Sequence, residues 1–251
     1  MVGPTKLEVP NMTRKALITW GGWDGHEPGP VADLFHDLLK ADGMEVEVHD
    51  NLECLADAEH LKSMDLIVPV WTMSEIDKDY TNNVSEAVAH GTGLAGVHGG
   101  MCDAFRNDPL WQFMTGGNWV AHPGGDGVEY TVKITDRETE LTAGIDDFQI
   151  TSEQYYLHVD PAARVLATTE FPVFNWYHTP NGPVQMPVVW TKRWGMGRVY
   201  YNSLGHHRDV IDKGPALEMI RRGLIWASHG REAAQDAGEA YEDFFAEGKH
   251  F

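Results

Sequence analysis

Short apolar runs and amphipathic segments alternate along the first 106 residues of the chain. Each run is too short for a core helix and predicts a buried strand; the runs lie at 15–20, 44–49, 65–70 and 93–97. Between them, apolar residues recur every three or four positions, as at Val31, Leu34, Phe35 and Leu38, and predict amphipathic helices. We therefore predict a three-layer α/β fold, with a mainly parallel sheet, helices on both faces and ligands bound beyond the carboxyl ends of the strands.

The last of these runs ends at a histidine. Residues 93–97 form the predicted strand, His98 follows, and Gly99 and Gly100 precede a helix predicted over residues 101–106. A side chain at such a turn is exposed at the carboxyl edge of the sheet, as in the nucleophile elbow of other α/β enzymes. The glycines let the backbone turn, and their N–H groups can face a ligand. His98 is therefore a candidate functional residue, although glycine pairs also occur in purely structural turns.

The pattern changes after residue 107, where loops and strands replace the regular alternation. We predict a loop at 116–127, strands at 128–135 and 164–168, a polar stretch at 149–160, a hairpin of 187–192 with 198–203, and a last helix at 212–228. The chain shows no repeat and no linker, which predicts one domain over residues 14–228 between a polar leader (1–13) and an acidic tail (229–251). Four aromatic residues in that tail lead us to expect that it packs on the domain or on a neighbouring subunit.

Charge and composition exclude several classes of partner. The net charge is −19 with histidine neutral, which argues against nucleic acid and anionic membranes as partners. No run approaches the ~18 apolar residues of a transmembrane helix, and residues 1–12 lack the apolar core of a signal peptide. The two cysteines, Cys54 and Cys102, imply no disulfide framework. We therefore expect a cytoplasmic protein with no nucleic-acid or membrane partner.

Histidines are abundant, with 13 in the chain. The candidates at predicted strand ends, in Gly-rich loops and in the 149–160 stretch are His98, His206, His207, His26, His122, Glu153 and His158. Histidines and a carboxylate on separate loops suit either a divalent metal or general acid–base catalysis. No short metal motif such as H-E-x-x-H is present, so both alternatives stay open at this point.

A cysteine or serine nucleophile is not supported. Cys102 lies in the helix predicted after His98, and no histidine–aspartate arrangement in the sequence would activate it, so we expect a buried, inert thiol. The chain has no G-x-S-x-G, P-loop or G-x-G-x-x-G motif. Serine hydrolases, nucleoside triphosphatases and dinucleotide-binding enzymes are therefore unsupported.

Several motifs occur together between residues 14 and 228. They are the Gly-rich loop with His26, Gly96–Gly100 (Gly-Val-His-Gly-Gly), His122–Pro123, Ser152–Tyr155 (Ser-Glu-Gln-Tyr), Pro187–Trp190, Gly197–Val199 and Leu204–His206. In this combination the chain resembles the trehalose-utilisation (ThuA-like) family, which implies a flavodoxin-like fold similar to class I glutamine amidotransferases. Those enzymes carry cysteine where this chain has His98, so glutamine hydrolysis is not implied. The family usually shows Asp-Glu-x-Tyr, and Ser152 replaces its aspartate.

The resemblance implies sugar catabolism, on trehalose-related disaccharides or on 3-keto-glycosides made by a partner sugar dehydrogenase. A ketone at C3 acidifies the C2 hydrogen, so a base can remove it and the glycosidic bond then leaves by elimination. In this scheme Glu153 is the candidate base, His98 and His206 polarise the carbonyl or, with Glu153, hold a divalent metal such as zinc, and Tyr155 is a candidate acid. The candidate substrate-binding residues are Trp20, Gly22, His26, Trp71, Gly99, Gly100, Trp119, His122 and His158.

Two other functions stay open. One is a non-catalytic domain that binds a carbohydrate or a partner, and the other is a metal-dependent hydrolase of another small molecule. Metal analysis and a turnover assay on keto-disaccharides distinguish them. We also expect the protein to be a homo-oligomer.

Overall fold

The computed structural model describes residues 13–245. Its strands are β1 (Lys15–Gly22), β2 (Glu45–His49), β3 (Leu66–Thr72), β4 (Gly93–Val97), β5 (Gly117–Ala121), β6 (Val128–Ile134), β7 (Phe148–Ser152), β8 (Tyr156–Val159), β9 (Arg164–Phe171), β10 (Val184–Trp194) and β11 (Gly197–Asn202). A nine-stranded sheet has the order β2-β1-β3-β4-β11-β10-β9-β6-β7, and β5 and β8 form a separate two-stranded sheet.

One half of the large sheet is parallel. Strands β2, β1, β3, β4 and β11 pair in parallel, so their carboxyl ends lie at one edge. The residues of β4 are all buried, and β3 is an almost continuous buried apolar run, as expected for strands covered on both faces. The predicted α/β sheet is confirmed, and the loops after β1, β3, β4 and β11 leave from its carboxyl edge.

The other half of the sheet is antiparallel. Strands β10 and β11 form the predicted hairpin, and β9, β6 and β7 continue the sheet beyond β10. The predicted loop at 116–127 is wrong in part, because it contains β5, which pairs with β8. The glycines and short length of β5 give no local strand signal, and its ladder hydrogen bonds come from a partner about forty residues away.

Helices cover both faces of the sheet. They are α1 (Pro28–Ala41), α2 (Ala58–Ser63), α3 (Lys78–Ala89), α4 (Gly99–Cys102), α5 (Pro109–Thr115), α6 (Arg208–Ile211), α7 (Gly214–Ser228) and α8 (Gly230–Asp236). Helices α1 and α7 share one hydrophobic core with the sheet, and α2, α3 and α5 share the core on the opposite face. This gives the predicted three layers. Within residues 13–245, no helix is long and apolar enough to cross a membrane.

The helix after His98 is shorter than predicted, because α4 ends at Cys102. The carbonyls of Asp103 and Ala104 accept hydrogen bonds of 2.8 Å from the amides of Met73 and Ser74. These carbonyls therefore bind the loop after β3 instead of extending the helix. Cys102 itself is buried, and burial raises the pKa of its thiol well above the usual range, which suits an inert side chain.

The described part of the C-terminal segment packs on the domain. The Arg193 guanidinium pairs with Glu239, and the Tyr241 ring stacks on His90 with 3.7 Å between centroids. The Tyr241 hydroxyl also donates a hydrogen bond of 3.0 Å to Glu86. This part of the expected aromatic tail thus docks on its own chain, whereas residues 246–251 and the leader residues 1–12 lie outside the described residues.

Helix α7 packs closely on β11 at Gly223, which leaves no room there for a larger side chain. A Cβ at Gly223 would lie 2.3 Å from the ring of buried Tyr200. Gly→Ala inside a helix ordinarily stabilises by about 0.5–1 kcal/mol, but here the added methyl overpacks the core. We expect Gly223→Ala to lower the free energy of unfolding in urea by at least about 1 kcal/mol.

The matched control is Asn82→Ala in α3, which places alanine at an exposed helical position. Alanine has a higher helix propensity than asparagine, so this variant should unfold at the same urea concentration as the wild type or a higher one. Equal stability of the two variants would contradict the close packing of Gly223 on Tyr200.

Candidate active site

His98 stands in a strained turn at the carboxyl edge of the parallel strands. Its φ of 47° and ψ of −136° are rare for a residue with a side chain. The backbone N–H of His98 donates a hydrogen bond of 2.7 Å to the Asn202 carbonyl. The His98 carbonyl accepts a hydrogen bond of 3.1 Å from the Tyr201 hydroxyl. A Cβ at Gly99 would lie 2.5 Å from the His26 ring, so the turn requires glycine there. The sequence placed His98 at this turn, and the structure holds it there with bonds to β11.

Four buried ionisable side chains meet at this edge. His26 follows β1, His98 follows β4, His206 follows β11, and Glu153 lies between β7 and β8. One ligand atom of each lies within 4.8 Å of the others, and the residues are only 1–8% exposed. The Glu153 Oε2 atom is 3.1 Å from His98 Nε2 and 3.2 Å from His206 Nδ1. We call these four residues the histidine–glutamate cluster.

Hydrogen bonds fix the chain at Glu153 and at the next residue, Gln154. The Tyr130 hydroxyl on β6 donates 3.0 Å to the Glu153 carbonyl. The side-chain amide of the neighbouring Gln154 donates hydrogen bonds of 3.0 Å to Thr169 Oγ1 and of 2.8 Å to the Glu170 carbonyl, both on β9. The connection between β7 and β8 is therefore tied to two strands, and the carboxylate has a defined position in the cluster.

A hydrogen bond to a carbonyl decides which nitrogen of His98 carries the proton. His98 Nδ1 lies 2.8 Å from the Ser203 carbonyl oxygen, which can only accept, so Nδ1 bears the hydrogen. In a neutral ring Nε2 then carries a lone pair, and it faces a Glu153 oxygen 3.1 Å away that also only accepts. Two acceptors at this distance repel unless a proton or a cation lies between them.

Burial favours neutral histidines in the cluster. Burial, followed by the neighbouring His98 and His206, lowers the pKa of His26 to about 2. Burial also lowers the pKa of His98, against the raising effect of Glu153. Burial alone would raise the pKa of Glu153, but its close contacts with His206 and His98 outweigh this and hold that pKa well below its ordinary value. The cluster thus combines the neutral imidazoles of His26 and His98 with an ionised carboxylate.

These residues fit a divalent transition metal such as zinc, whose usual ligands are neutral imidazole and carboxylate. His206 Nδ1 is buried, and its 3.2 Å approach to Glu153 is not angled as a hydrogen bond, so it has no partner among the described residues. Ligand atoms about 2.0–2.1 Å from one zinc in a tetrahedron are about 3.3 Å apart. The 3.1 and 3.2 Å separations here are close to that value. His26 thus joins the predicted candidates His98, Glu153 and His206.

Two further predicted residues border the cluster. Tyr155 is buried and stacks on His98 with 3.9 Å between ring centroids. Burial and then the charge of Glu153 raise the pKa of Tyr155 well above its usual value, so its hydroxyl stays protonated at neutral pH. His122 Nδ1 lies 3.6 Å from Glu153 Oε1 and has no hydrogen-bond partner among residues 13–245. A proton donor and another imidazole therefore stand beside the carboxylate.

The predicted tryptophans differ in their relation to the site. Trp119 borders it, with its ring centroid 5.4 Å from His122 and 6.3 Å from Tyr155. Trp20 packs against the hydrophobic core under α1, and Trp71 packs against the core on the opposite face. Only Trp119 of these three has a described ring contact with the residues around the cluster.

The structure removes His158 from the predicted site, whereas the predicted glycines remain close to it. His158 is exposed on β8, because side chains alternate along a strand and Leu157 takes the buried side. A Cβ at Gly22 would lie 2.1 Å from the Thr72 carbonyl, and one at Gly100 would lie 3.1 Å from the β3 backbone. These glycines therefore allow the loops after β1 and β4 to pack closely on β3.

Sequence reasoning missed Trp23 and Thr72. The Trp23 ring lies 4.8 Å from the His26 ring and is 46% exposed. Its position in the same Gly-rich loop as His26 was the available signal. Thr72 Oγ1 lies 3.0 Å from His26 Nδ1, and no local pattern announces this contact because it joins two different strand ends.

A profile of the ThuA family, described as trehalose utilisation, matches residues 15–227. The matched span contains the whole histidine–glutamate cluster and nearly all of the described fold. The chain belongs to the ThuA family. Membership supports a carbohydrate-related role, as the resemblance implied, and leaves the substrate and reaction to be proposed.

Solved structures share the ThuA fold. A protein described as ThuA-like from Bacteroides uniformis has a TM-score of 0.70 at 16% identity, covering 95% of this chain and 99% of that one. Another, from Parabacteroides merdae, has a TM-score of 0.66 at 17% identity and covers 88% and 91%. A cytoplasmic protein from Salmonella typhimurium LT2 has a TM-score of 0.54 at 15% identity and covers 75% and 86%. At these identities the likeness shows the fold alone. No curated protein matches the chain.

We expect this ThuA chain to bind one divalent ion in the cluster. Protein stripped with a chelator and dialysed against zinc chloride should retain about one equivalent by mass spectrometry of the metal. His206→Ala removes a ligand nitrogen that has no other partner. Zinc affinity should fall by at least the roughly 10–100-fold that outer-shell partners alone contribute.

The matched control for this measurement is His158→Ala, which removes an exposed histidine outside the cluster. It should bind zinc as the wild type does. Wild-type zinc affinity in the His206→Ala variant would contradict a metal site at the cluster and leave a shared proton between His98 and Glu153.

Proposed function

We propose that this chain is an enzyme of carbohydrate catabolism that acts on trehalose-related or 3-keto-glycoside sugars by acid–base chemistry, assisted by a divalent metal. The observation that carries the proposal is the histidine–glutamate cluster at the carboxyl edge of the parallel strands. Ligands of α/β sheets bind at this edge. Membership of the trehalose utilisation family supports a sugar as the substrate.

Glu153 is the proposed base. Its Oε2 atom is held in the cluster, while Oε1 makes no hydrogen bond among the described residues and lies 3.6 Å from His122. On a 3-keto-glycoside, Glu153 takes the proton from C2. The electrons of that C–H bond first form an enolate with the C3 ketone, and they then form a double bond between C1 and C2 as the glycosidic C1–O bond breaks.

Tyr155 is the proposed acid. The departing glycosidic oxygen carries the electron pair of the broken bond and needs a proton. The Tyr155 hydroxyl is protonated at neutral pH, and the Tyr155 ring stacks on the ring of His98. Transfer of its proton to the leaving oxygen completes the elimination and releases the second sugar as an alcohol.

The histidines position the reacting groups. His98 is held by the Ser203 carbonyl and His26 by Thr72, so both rings present Nε2 on the side away from these anchors. A divalent ion bound by three of the four cluster residues would supply Lewis-acid polarisation of the substrate carbonyl. The buried carboxylate stays ionised in this setting and keeps its second oxygen for the proton at C2.

We also propose a partner enzyme, a cellular compartment and an oligomeric state for this protein. A 3-keto-glycoside requires a sugar dehydrogenase that oxidises C3 first, and this is the proposed partner in the reaction sequence. We place the protein in the cytoplasm, because Cys54 and Cys102 are free thiols and one structural neighbour is described as a cytoplasmic protein. We also propose that the chain is a homo-oligomer.

The donor set of the cluster also favours a second candidate, a metal-dependent hydrolase of another small molecule. Three imidazoles, or two imidazoles with a carboxylate, form the three-ligand sets that activate water in zinc hydrolases, and the cluster contains both sets. The two candidates differ in substrate and in the bond that breaks: elimination breaks the C2–H bond of a sugar, whereas the hydrolase uses water to break a bond in another small molecule. A binding domain without catalysis would break neither bond.

Incubation with a 3-keto-disaccharide in heavy water tests these alternatives. We expect release of the second sugar by mass spectrometry and deuterium incorporation at C2 of recovered substrate by NMR. Glu153→Gln keeps the shape of the side chain but cannot accept the proton, so turnover and C2 exchange should both fall by about 100-fold or more.

The matched control is Glu129→Gln, the same substitution at an exposed position on β6. Its turnover should equal that of the wild type. Absence of both binding and cleavage of the disaccharide would favour the hydrolase of another small molecule, and saturable binding of the disaccharide without release would identify a binding domain. Full activity in Glu153→Gln would exclude Glu153 as the base.

A further inference from the structure

A half-exposed tryptophan lies directly beside the histidine–glutamate cluster and has no role in the chemistry described so far. The Trp23 side chain is 46% exposed, although exposed indole surface is costly to leave in water. Its ring stands edge-on to the His26 ring at 4.8 Å between centroids and 75° between planes. One edge of the indole therefore contacts a cluster residue, while much of its surface faces outward.

The Trp23 ring is held in place by its own loop. The backbone N–H of Trp23 donates a hydrogen bond of 3.1 Å to the Thr72 carbonyl. The Trp23 carbonyl accepts one of 3.3 Å from the backbone N–H of His26. A Cβ at Gly25 would lie 2.3 Å from the indole ring, so the ring folds back over a position that only glycine permits. A fixed aromatic surface of this kind binds a flat partner with little loss of conformational entropy.

Polar groups continue from Trp23 around the mouth of the cluster. Ring contacts run from His26 to His206 at 5.1 Å and from His206 to His207 at 4.0 Å. His207 Nδ1 lies 4.0 Å from Asp126 Oδ2, and both side chains are partly exposed. The rim thus combines an apolar aromatic surface with hydrogen-bonding groups, as required by a sugar ring with its apolar C–H face and hydroxyl edge.

We propose that Trp23 is the stacking residue of a second sugar subsite, which binds the leaving ring of a disaccharide whose reacting ring lies at the cluster. This inference rests on the proposed function and adds the residue that selects the leaving group. Trp23 contacts His26, so the second ring lies next to the reacting ring along the same rim. The indole makes the site prefer glycosides whose leaving group is a ring over those with a small alkyl group.

Binding of two unreactive probes tests this subsite independently of catalysis. Calorimetry compares trehalose, which has two rings, with methyl α-glucopyranoside, which has one. The readout is the ratio of the two dissociation constants. The wild type should prefer trehalose by about 5- to 10-fold, the size of one aromatic stacking contact. The Trp23→Ala variant should lose this preference, so that its ratio approaches one.

Two further variants test whether Trp23→Ala loses its trehalose preference only because the structure around the site changes. Trp23→Phe retains an aromatic face and should keep part of the trehalose preference. Trp176→Ala removes a tryptophan of similar exposure, 45%, on the loop after β9, where its only described ring contact is with Tyr177. It should keep the wild-type ratio. Zinc content of each variant, measured as above, reports whether His26 has stayed in place.

A wild type that binds both probes equally, or a Trp23→Ala variant that keeps the wild-type preference, would overturn the subsite. Loss of the preference in Trp176→Ala as well as Trp23→Ala would also overturn it, because the effect would then not belong to Trp23. Failure of the proposed function gives a different result: trehalose preference persists and depends on Trp23, while the 3-keto-disaccharide is bound and not turned over.

Discussion

The hydrogen bond between His98 and the Ser203 carbonyl is the interaction on which the site depends. It joins the turn after β4 to the end of β11 and directs Nε2 of His98 towards Glu153. Two more hydrogen bonds, with Asn202 and Tyr201, hold the same turn against β11. They form because β4 and β11 are parallel neighbours that end at one edge. A backbone geometry that is unfavourable for a histidine is thereby kept, and the ring has one orientation.

The two halves of the sheet supply different chemistry. The parallel half delivers three imidazoles, from the loops after β1, β4 and β11, while the antiparallel half delivers the carboxylate of Glu153. Strand β11 belongs to both halves, since it is parallel to β4 and antiparallel to β10. The carboxylate therefore reaches the imidazoles only because the sheet is extended beyond the α/β frame, and both parts are needed to assemble the cluster.

Enclosure of a carboxylate at this edge has an energetic consequence. A buried charge is costly unless opposite charge or hydrogen bonds compensate it. Here burial keeps the neighbouring His98 neutral, and the lone pair of this ring faces the carboxylate. The protein holds this arrangement through hydrogen bonds of Tyr130 to the Glu153 carbonyl and of Gln154 to Thr169. Such a site is organised to receive a cation or a proton, and the half-exposed Trp23 ring lies beside it.

The sequence by itself determined the parallel strands, the helices on both faces and the turn at His98, because apolar runs, helical spacing and paired glycines are local signals. It also indicated the family, whose motifs include each residue of the cluster. Tertiary structure alone decided that β5 is a strand, that His158 faces away from the site, and that Thr72 contacts His26. These features depend on pairing between segments far apart in the chain, and local composition carries no record of which segment will be the partner.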